Sequence, residues 1–173
     1  IIQQMISGIS PVALITVPMF ILAADIVTRG RTANRLLDLA MTFFGHIRGG
    51  LAVTAALSCT MFGAISGSTQ ATVVAIGGPL RPRMLKRGYD DKFTIALIIN
   101  ASDIAFLIPP SIGMIVFGIV GKVSIAELFL AGIGPGLLIL VLFSAYSVWY
   151  AWRKDLPLHP RASWKERLAA MRK

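Results

Sequence analysis

The chain has little of what a water-soluble domain is made from. Charged residues fill only 14% of its 173 positions, against about 25% in an ordinary soluble domain. Acidic residues are the scarcer sign, 8 against 17 Lys and Arg. There is one cysteine, Cys59, which excludes an intrachain disulfide. No second Cys or His stands at ligand spacing from it, so it reads as a buried structural thiol rather than a metal ligand. The opening IIQQM has no initiator Met, charged n-region or cleavage site. It is not read as a signal peptide, and the expectation is of a chain that begins partway through a longer protein.

Apolar residues, by contrast, make up 55% of the chain and its mean hydropathy is +0.74. They gather into runs near the roughly 17–25 residues that span a bilayer. The expected fold class is therefore an all-α integral membrane protein with the lipid bilayer as its first partner. A net charge of +9 does not point to nucleic acid, because the basic residues lie between the apolar runs. They fall at Arg29/Arg31/Arg35, at Arg81/Arg83/Lys86/Arg87/Lys92, and at seven positions from Arg153 to Lys173. That is the pattern of cytoplasmic loops under the positive-inside rule.

Six segments are expected. Residues 1–48 hold a first span, Ser10–Thr28, with Pro18 predicted to kink it and Asp25 near its basic end, followed by an amphipathic arm helix, Asn34–His46. In the arm, Leu36, Leu37, Ala40, Met41 and Phe44 share one face. Residues 49–80 hold a run of membrane-crossing length, Gly49–Ser66, then a piece of about 12 residues, Thr69–Leu80. At roughly 18 Å as a helix, that piece is too short for a core of about 30 Å. Residues 81–92 are an aqueous basic loop with a turn at Tyr89–Asp91. Residues 93–122 hold a helix broken at Asn100–Asp103 and at Pro109–Pro110, since a double proline cannot sit within a continuous helix. Residues 123–152 are a span, Leu128–Trp152, kinked at Pro135 and belted by Trp149, Tyr150 and Trp152. Residues 153–173 are a basic tail in which Trp164, Leu168 and Met171 begin a second interfacial helix.

Orientation joins these pieces. Placing the basic tail in the cytoplasm and counting back puts the sparsely charged GKVSIAE loop outside and the Arg81–Lys92 loop inside. The arginines at 29–48 also belong inside. All basic clusters share one side only if 49–80 enters and leaves from that side, which a re-entrant hairpin with SGSTQ at its tip does. The N-terminus of the chain then lies on the periplasmic side.

Two unwound elements are thus predicted at membrane depth, the tip Ser66–Thr69 and the break Asn100–Ser111. Irregular backbone there costs several kcal/mol per unpaired group unless protein or a wet cavity satisfies it. Paired discontinuous helices of this kind build ion and substrate sites in secondary transporters, with carbonyls at helix C-termini holding cations and N-termini attracting anions. Ser66, Gly67, Ser68, Asn100, Ser102, Asp103, Pro109 and Ser111 are the candidate cation ligands, because hard cations prefer oxygen. Ser68, Thr69, Pro110 and Ser111 are the candidates for substrate. A single serine in such a place more often serves close helix packing; two polar breaks together favour a site. Asp103 has several open roles: cation ligand, partner of a basic residue, protonatable carboxylate, or solvating group in a wet vestibule. His46 and Arg48 read as interfacial anchors.

GHIRGGLAV, GAISGS, MLKRGYDDKF, LIPPSIGMIVFG and SIAELFLAGIGPGLL follow the order and spacing of a known family. From about Pro11 to the tail, the chain resembles the large membrane subunit of tripartite ATP-independent periplasmic (TRAP) transporters. The resemblance implies Na⁺-driven uptake of organic anions, dicarboxylates or other carboxylates, across the bacterial inner membrane. A periplasmic binding protein and a small membrane subunit would be the partners, Na⁺ the coupling ion, and no other cofactor or metal is implied. It also implies elevator-type movement and two inverted repeats, of which this chain resembles the first. Sodium would sit between Ser66–Ser68 and the Asn100–Ser111 break.

No enzyme is expected, and no catalytic residue. An aspartyl type needs two facing carboxylates and a serine type a buried histidine, whereas Asp25 is near an interface and His46 in the arm. The alternatives that stay open are a carrier of the same hairpin architecture without a binding protein, a non-transporting assembly subunit, and an intramembrane enzyme. A pure scaffold has no need of polar breaks.

Overall fold

The computed structural model describes residues 15–29 and 32–156. Among these residues it is mostly helical, without strands. Its elements are α1 (Thr16–Arg29), α2 (Thr32–Phe44), α3 (Gly50–Ser66), α4 (Thr69–Leu85), α5 (Asp91–Ser102), a 3₁₀ turn (Asp103–Phe106), α6 (Ile112–Gly121) and α7 (Ile125–Arg153). The tail helix expected after residue 156 and the start of the first span at Ser10 lie outside the described residues.

α3 is the central helix, and its sequence is suited to that place. Its small residues Ala52, Ala55, Ala56 and Cys59, with Phe62 among them, are wholly buried and let neighbours approach on every side. α2 lays Ala33, Leu37 and Ala40 against this core, the i, i+4, i+7 spacing of one helical face. Its exposed face carries Asp38, which pairs with Arg83 of α4 at 3.0 Å.

α7 is 29 residues long and, among the described residues, the one helix long and apolar enough to cross a membrane. At 1.5 Å per residue it spans about 43 Å. It begins at Ile125, three residues earlier than its apolar run suggests, because Ser124 caps it by accepting from the Glu127 N–H.

Three expectations are corrected. The second arm of the hairpin is 17 residues, not about 12, and runs through Pro79 and Pro82 to Leu85. The charges of RPRML suggested a loop, but Leu80 and Met84 are one turn apart and both wholly buried. Continuing the helix keeps Met84 in the core, while Arg81 and Arg83 reach out to Asp91 and Asp38. Both arms are therefore 17 residues, about 25 Å each, and shortness of the second cannot argue for re-entry. Pro18 causes no interior kink. It is the third residue of α1, where a helix N–H has no partner to lose. The break in the fourth segment is also narrower than Asn100–Ser111. α5 stays helical through Ser102, a 3₁₀ turn follows, and only 107–111 is irregular.

One end of the bundle gathers the start of α3, the end of α4, the start of α5 and the end of α7. There Gly49 adopts φ +79, with Ser147 O only 2.8 Å from where a Cβ would stand. Phe93 stacks on Tyr150 at 3.8 Å between ring centroids and on Tyr89 at 5.9 Å. The α3–α4 turn lies at the other end of its own two helices. It does not reach the far end of α7, because the break it touches packs at Leu107 and Ile108 against Gly132 and Gly136. Those glycines are 15–19 residues before Ala151, roughly 22–28 Å along the helix.

Candidate functional site

The site forms where three helix ends meet at the proline break. α3 ends on Gly67, held at φ +62, a left-handed conformation that glycine adopts without a Cβ penalty. Its N–H closes onto Gly63 O at 2.7 Å. Two residues suffice for the turn, because Ser68 is extended and caps α4, its Oγ accepting from the Ala71 N–H at 3.4 Å. On the other side, Ser111 caps α6 in the same way, accepting from the Met114 N–H at 3.4 Å. The Pro109–Pro110 bond is cis.

A backbone hydrogen bond ties the two elements, Ile112 N–H donating to Gly67 O at 3.2 Å. The approach is close: a Cβ on Gly67 would stand 2.7 Å from Pro110 O. Farther along α3, Gly63 lies against Ala105 of the 3₁₀ turn, and a Cβ there would be 2.5 Å from the Ala105 Cβ. This small-residue seam brings the tip and the break to one level.

The hydroxyls of the tip form a closed group. Ser66 Oγ is wholly buried, 3.2 Å from Thr72 Oγ1, and donates to Ser68 O at 3.3 Å. Thr72 Oγ1 donates to Ser68 O at 2.8 Å. Ser68 Oγ donates to Gln70 Oε1 at 3.2 Å. Thr69 Oγ1 is buried and has no protein partner, the one tip hydroxyl left unsatisfied, so it is free for a water or an ion. The N-termini of α4 and α6 add partial positive charge, and the end of α3 partial negative charge.

Of the residues singled out from sequence, Ser66, Gly67, Ser68, Thr69, Pro109, Pro110 and Ser111 come together at this junction. Ser102 does not reach it. It is buried between α5 and α3, donating to Ile98 O at 2.7 Å with its Oγ 3.6 Å from Cys59 Sγ. Asn100 is exposed and donates to Ala96 O of its own helix at 2.7 Å. Asp103 stands exposed at the head of the 3₁₀ turn. Sequence reading missed Thr72, whose hydroxyl links Ser66 to the start of α4. Its signal was a threonine one turn beyond Ser68, on the face of α4 that turns back toward α3.

Comparison with known proteins follows the same outline. The family model described as "Tripartite ATP-independent periplasmic transporter, DctM component" matches residues 1–173. The chain is similar to the ectoine/5-hydroxyectoine TRAP transporter large permease protein of Ruegeria pomeroyi, 70% identical over 171 residues, 99% of this chain and 40% of that protein. It is similar to the ectoine TRAP transporter large permease protein of Halomonas elongata, 67% identical over 172 residues, again 99% and 40%. It is 42% identical over 160 residues to the C4-dicarboxylate TRAP transporter large permease protein of Pseudomonas aeruginosa, 92% of this chain and 38% of that protein. The chain thus spans about two fifths of the length of the curated relatives it matches.

Proposed function

The chain belongs to the DctM component family of tripartite ATP-independent periplasmic transporters, and from that premise we propose that it is part of a Na⁺-coupled permease for a carboxylate-bearing solute. The substrate in this reading is ectoine, named in the two relatives at 70% and 67% identity, ahead of the C4-dicarboxylates named in the relative at 42%. The protein would sit in the bacterial inner membrane with its basic end, Arg81–Lys92 and Arg153–Lys154, in the cytoplasm. A small membrane subunit and a periplasmic binding protein would complete the transporter.

The observation that carries the reading is the buried, unpartnered Thr69 Oγ1, set among the tip hydroxyls where α3, α4 and α6 end on the proline break. Sodium would be held by oxygens of Ser66, Gly67, Ser68 and Thr69 with carbonyls of the break, and the substrate carboxylate would lie at the N-termini of α4 and α6. Re-entry of the α3–α4 hairpin is supported by the level of its tip, opposite Gly132–Gly136 rather than the end of α7. Ion binding would lock tip to break and complete the pocket. The hairpin and break would then belong to the moving part of an elevator.

The test is uptake of labelled ectoine and of succinate by the full-length protein in proteoliposomes, with its small subunit and binding protein, in Na⁺ or K⁺. Ectoine uptake that needs Na⁺ is expected. Ser66→Ala and Ser68→Ala should each raise the Na⁺ concentration for half-maximal uptake. Uptake that is equal in K⁺, or Na⁺ dependence unchanged in both variants, would refute the coupling site.

A further inference from the structure

Arg83, Lys86 and Arg87 follow the i, i+3, i+4 spacing that puts side chains on one side of a helix, here at the end of α4. Asp38, Met41 and Thr42 repeat that spacing on the arm α2. The two stripes line one recess of about 460 Å³, which also takes in Leu51 of α3. Leu51 is buried, and Met41 packs against the same core. The recess is therefore basic along its α4 wall and apolar where it meets the bundle.

Its charges do not cancel, because three cations stand against one carboxylate. Asp38 is already engaged with Arg83 at 3.0 Å. Lys86 is exposed and Arg87 half-buried, and neither makes an ion pair among the described residues. The Thr42 hydroxyl donates to Leu39 O of its own helix at 2.6 Å, which leaves the two cations as the groups an incoming ligand meets.

Two neighbouring cations suit a phosphate, whose oxygens accept charge-assisted hydrogen bonds. The surroundings decide what carries that phosphate. Phe43 and Phe44, next to Thr42, and Leu85, next to Lys86, are exposed. A soluble phosphate ester would leave this apolar surface in water, whereas an acyl chain covers it. Basic pockets between helices on the cytoplasmic side of a membrane protein take anionic lipid head groups in this way. We propose that the recess between α2 and the end of α4 binds an anionic phospholipid of the cytoplasmic leaflet. Its phosphate meets Lys86 and Arg87, and its chains run over Phe43, Phe44 and Leu85. The lipid bridges the arm to the second helix of the hairpin, beside the Asp38–Arg83 pair. The choice of leaflet rests on the orientation proposed above; the recess and its charges do not.

The experiment is photo-crosslinking of the full-length permease with its small subunit in phosphatidylcholine nanodiscs. The probe is phosphatidylglycerol with a diazirine in its acyl chain, the control the same chain on phosphatidylcholine, and labelled peptides are mapped. Phosphatidylglycerol should label the end of α2 and Leu85 well above the control. Lys86→Gln/Arg87→Gln should weaken that labelling roughly twenty- to thirtyfold, from about fivefold for each basic residue near an anionic surface. Lys86→Arg/Arg87→Lys, which keeps both charges, should retain it. Both pairs are expected to keep the wild-type melting temperature in phosphatidylcholine alone. Equal labelling of wild type by the two lipids would overturn the proposal, and this comparison holds even if a variant fails to fold. Displacement of the probe by an equal concentration of glycerol 1-phosphate would also overturn it, assigning the recess to a soluble phosphate. So would labelling that appears only after the small subunit is removed, since a protein then covers the recess. Nanodiscs expose both leaflets, so a finding in cells that Lys86 is extracytoplasmic would overturn the orientation alone.

Discussion

Replacing Gly67 with alanine tests whether the tip and the break act as one unit. Gly67 sits at φ +62, a conformation that costs a residue with a Cβ about 1–2 kcal/mol. The added methyl would also stand 2.7 Å from Pro110 O and 3.5 Å from Ile112 N. Pro110 O is backbone inside a rigid Pro–Pro segment and cannot rotate away, so the tip must withdraw. Withdrawal breaks the 3.2 Å bond from Ile112 N–H to Gly67 O, about 1 kcal/mol net. The combined penalty, about 2–3 kcal/mol, corresponds to roughly a thirty- to hundred-and-fiftyfold fall in the docked population. If sodium binds the docked tip, its apparent affinity falls with that population. The assay is thermal unfolding of the purified full-length protein in NaCl and in KCl, with Na⁺ titration of uptake alongside. Gly67→Ala should lower the melting temperature, lose the Na⁺-induced stabilisation, and raise the Na⁺ needed for half-maximal uptake at least tenfold. The control is Gly134→Ala on α7, where no atom lies within 4 Å of the new Cβ. A mid-helix Gly→Ala at such a site gains about 0.5–1 kcal/mol. A Gly67→Ala protein that matches this control in stability and in Na⁺ response would refute the junction as a coupling element.

Two further predictions concern the basic end. Phe93→Ala removes the ring held between Tyr89 and Tyr150, the stack that joins the start of α5 to α7. It should cost about 2–4 kcal/mol, seen as a lower melting temperature, with Phe93→Leu losing less; an unchanged value would show that the rings do not tie the helices. The Arg81 guanidinium, through its hydrogen bonds first and its charge in addition, holds the Asp91 carboxyl below the usual carboxylate range, with desolvation opposing. The lowered value means that the ion pair contributes above that range and is lost as pH falls through it. The small melting difference between wild type and Asp91→Asn should therefore persist at neutral pH and close on strong acidification. A difference that grew in acid would overturn that assignment.

Much of the helix order was legible because each signal was local. Pro109–Pro110 inside an apolar run and Gly67–Ser68 between two runs mark starts and stops through backbone chemistry alone. Pro18 apart, the misreadings share a cause, a contact with another element. RPRML looked aqueous because its charges are visible in sequence, while the burial of Met84 and the partners Asp91 and Asp38 are not. Asn100 and Ser102 looked like site residues because they neighbour the break. A helix that continues to Ser102 turns one outward and the other into the core. Thr72 was passed over because its role depends on α4 folding back along α3.

The amino-acid sequence by itself determined that this chain is an all-α membrane protein and marked two polar, Gly- or Pro-interrupted stretches as unlike ordinary helix. Those properties follow from composition, the spacing of apolar runs, and the φ and N–H limits of Gly and Pro, all independent of partners. Only the tertiary structure decided that the two irregular stretches meet. The small-residue seam of Gly63 on Ala105 and the absence of a Cβ at Gly67 let two backbones approach within hydrogen-bond distance. That proximity brings Ser66–Thr69 and Pro109–Ser111 together, and leaves Asp103 exposed at the head of the 3₁₀ turn.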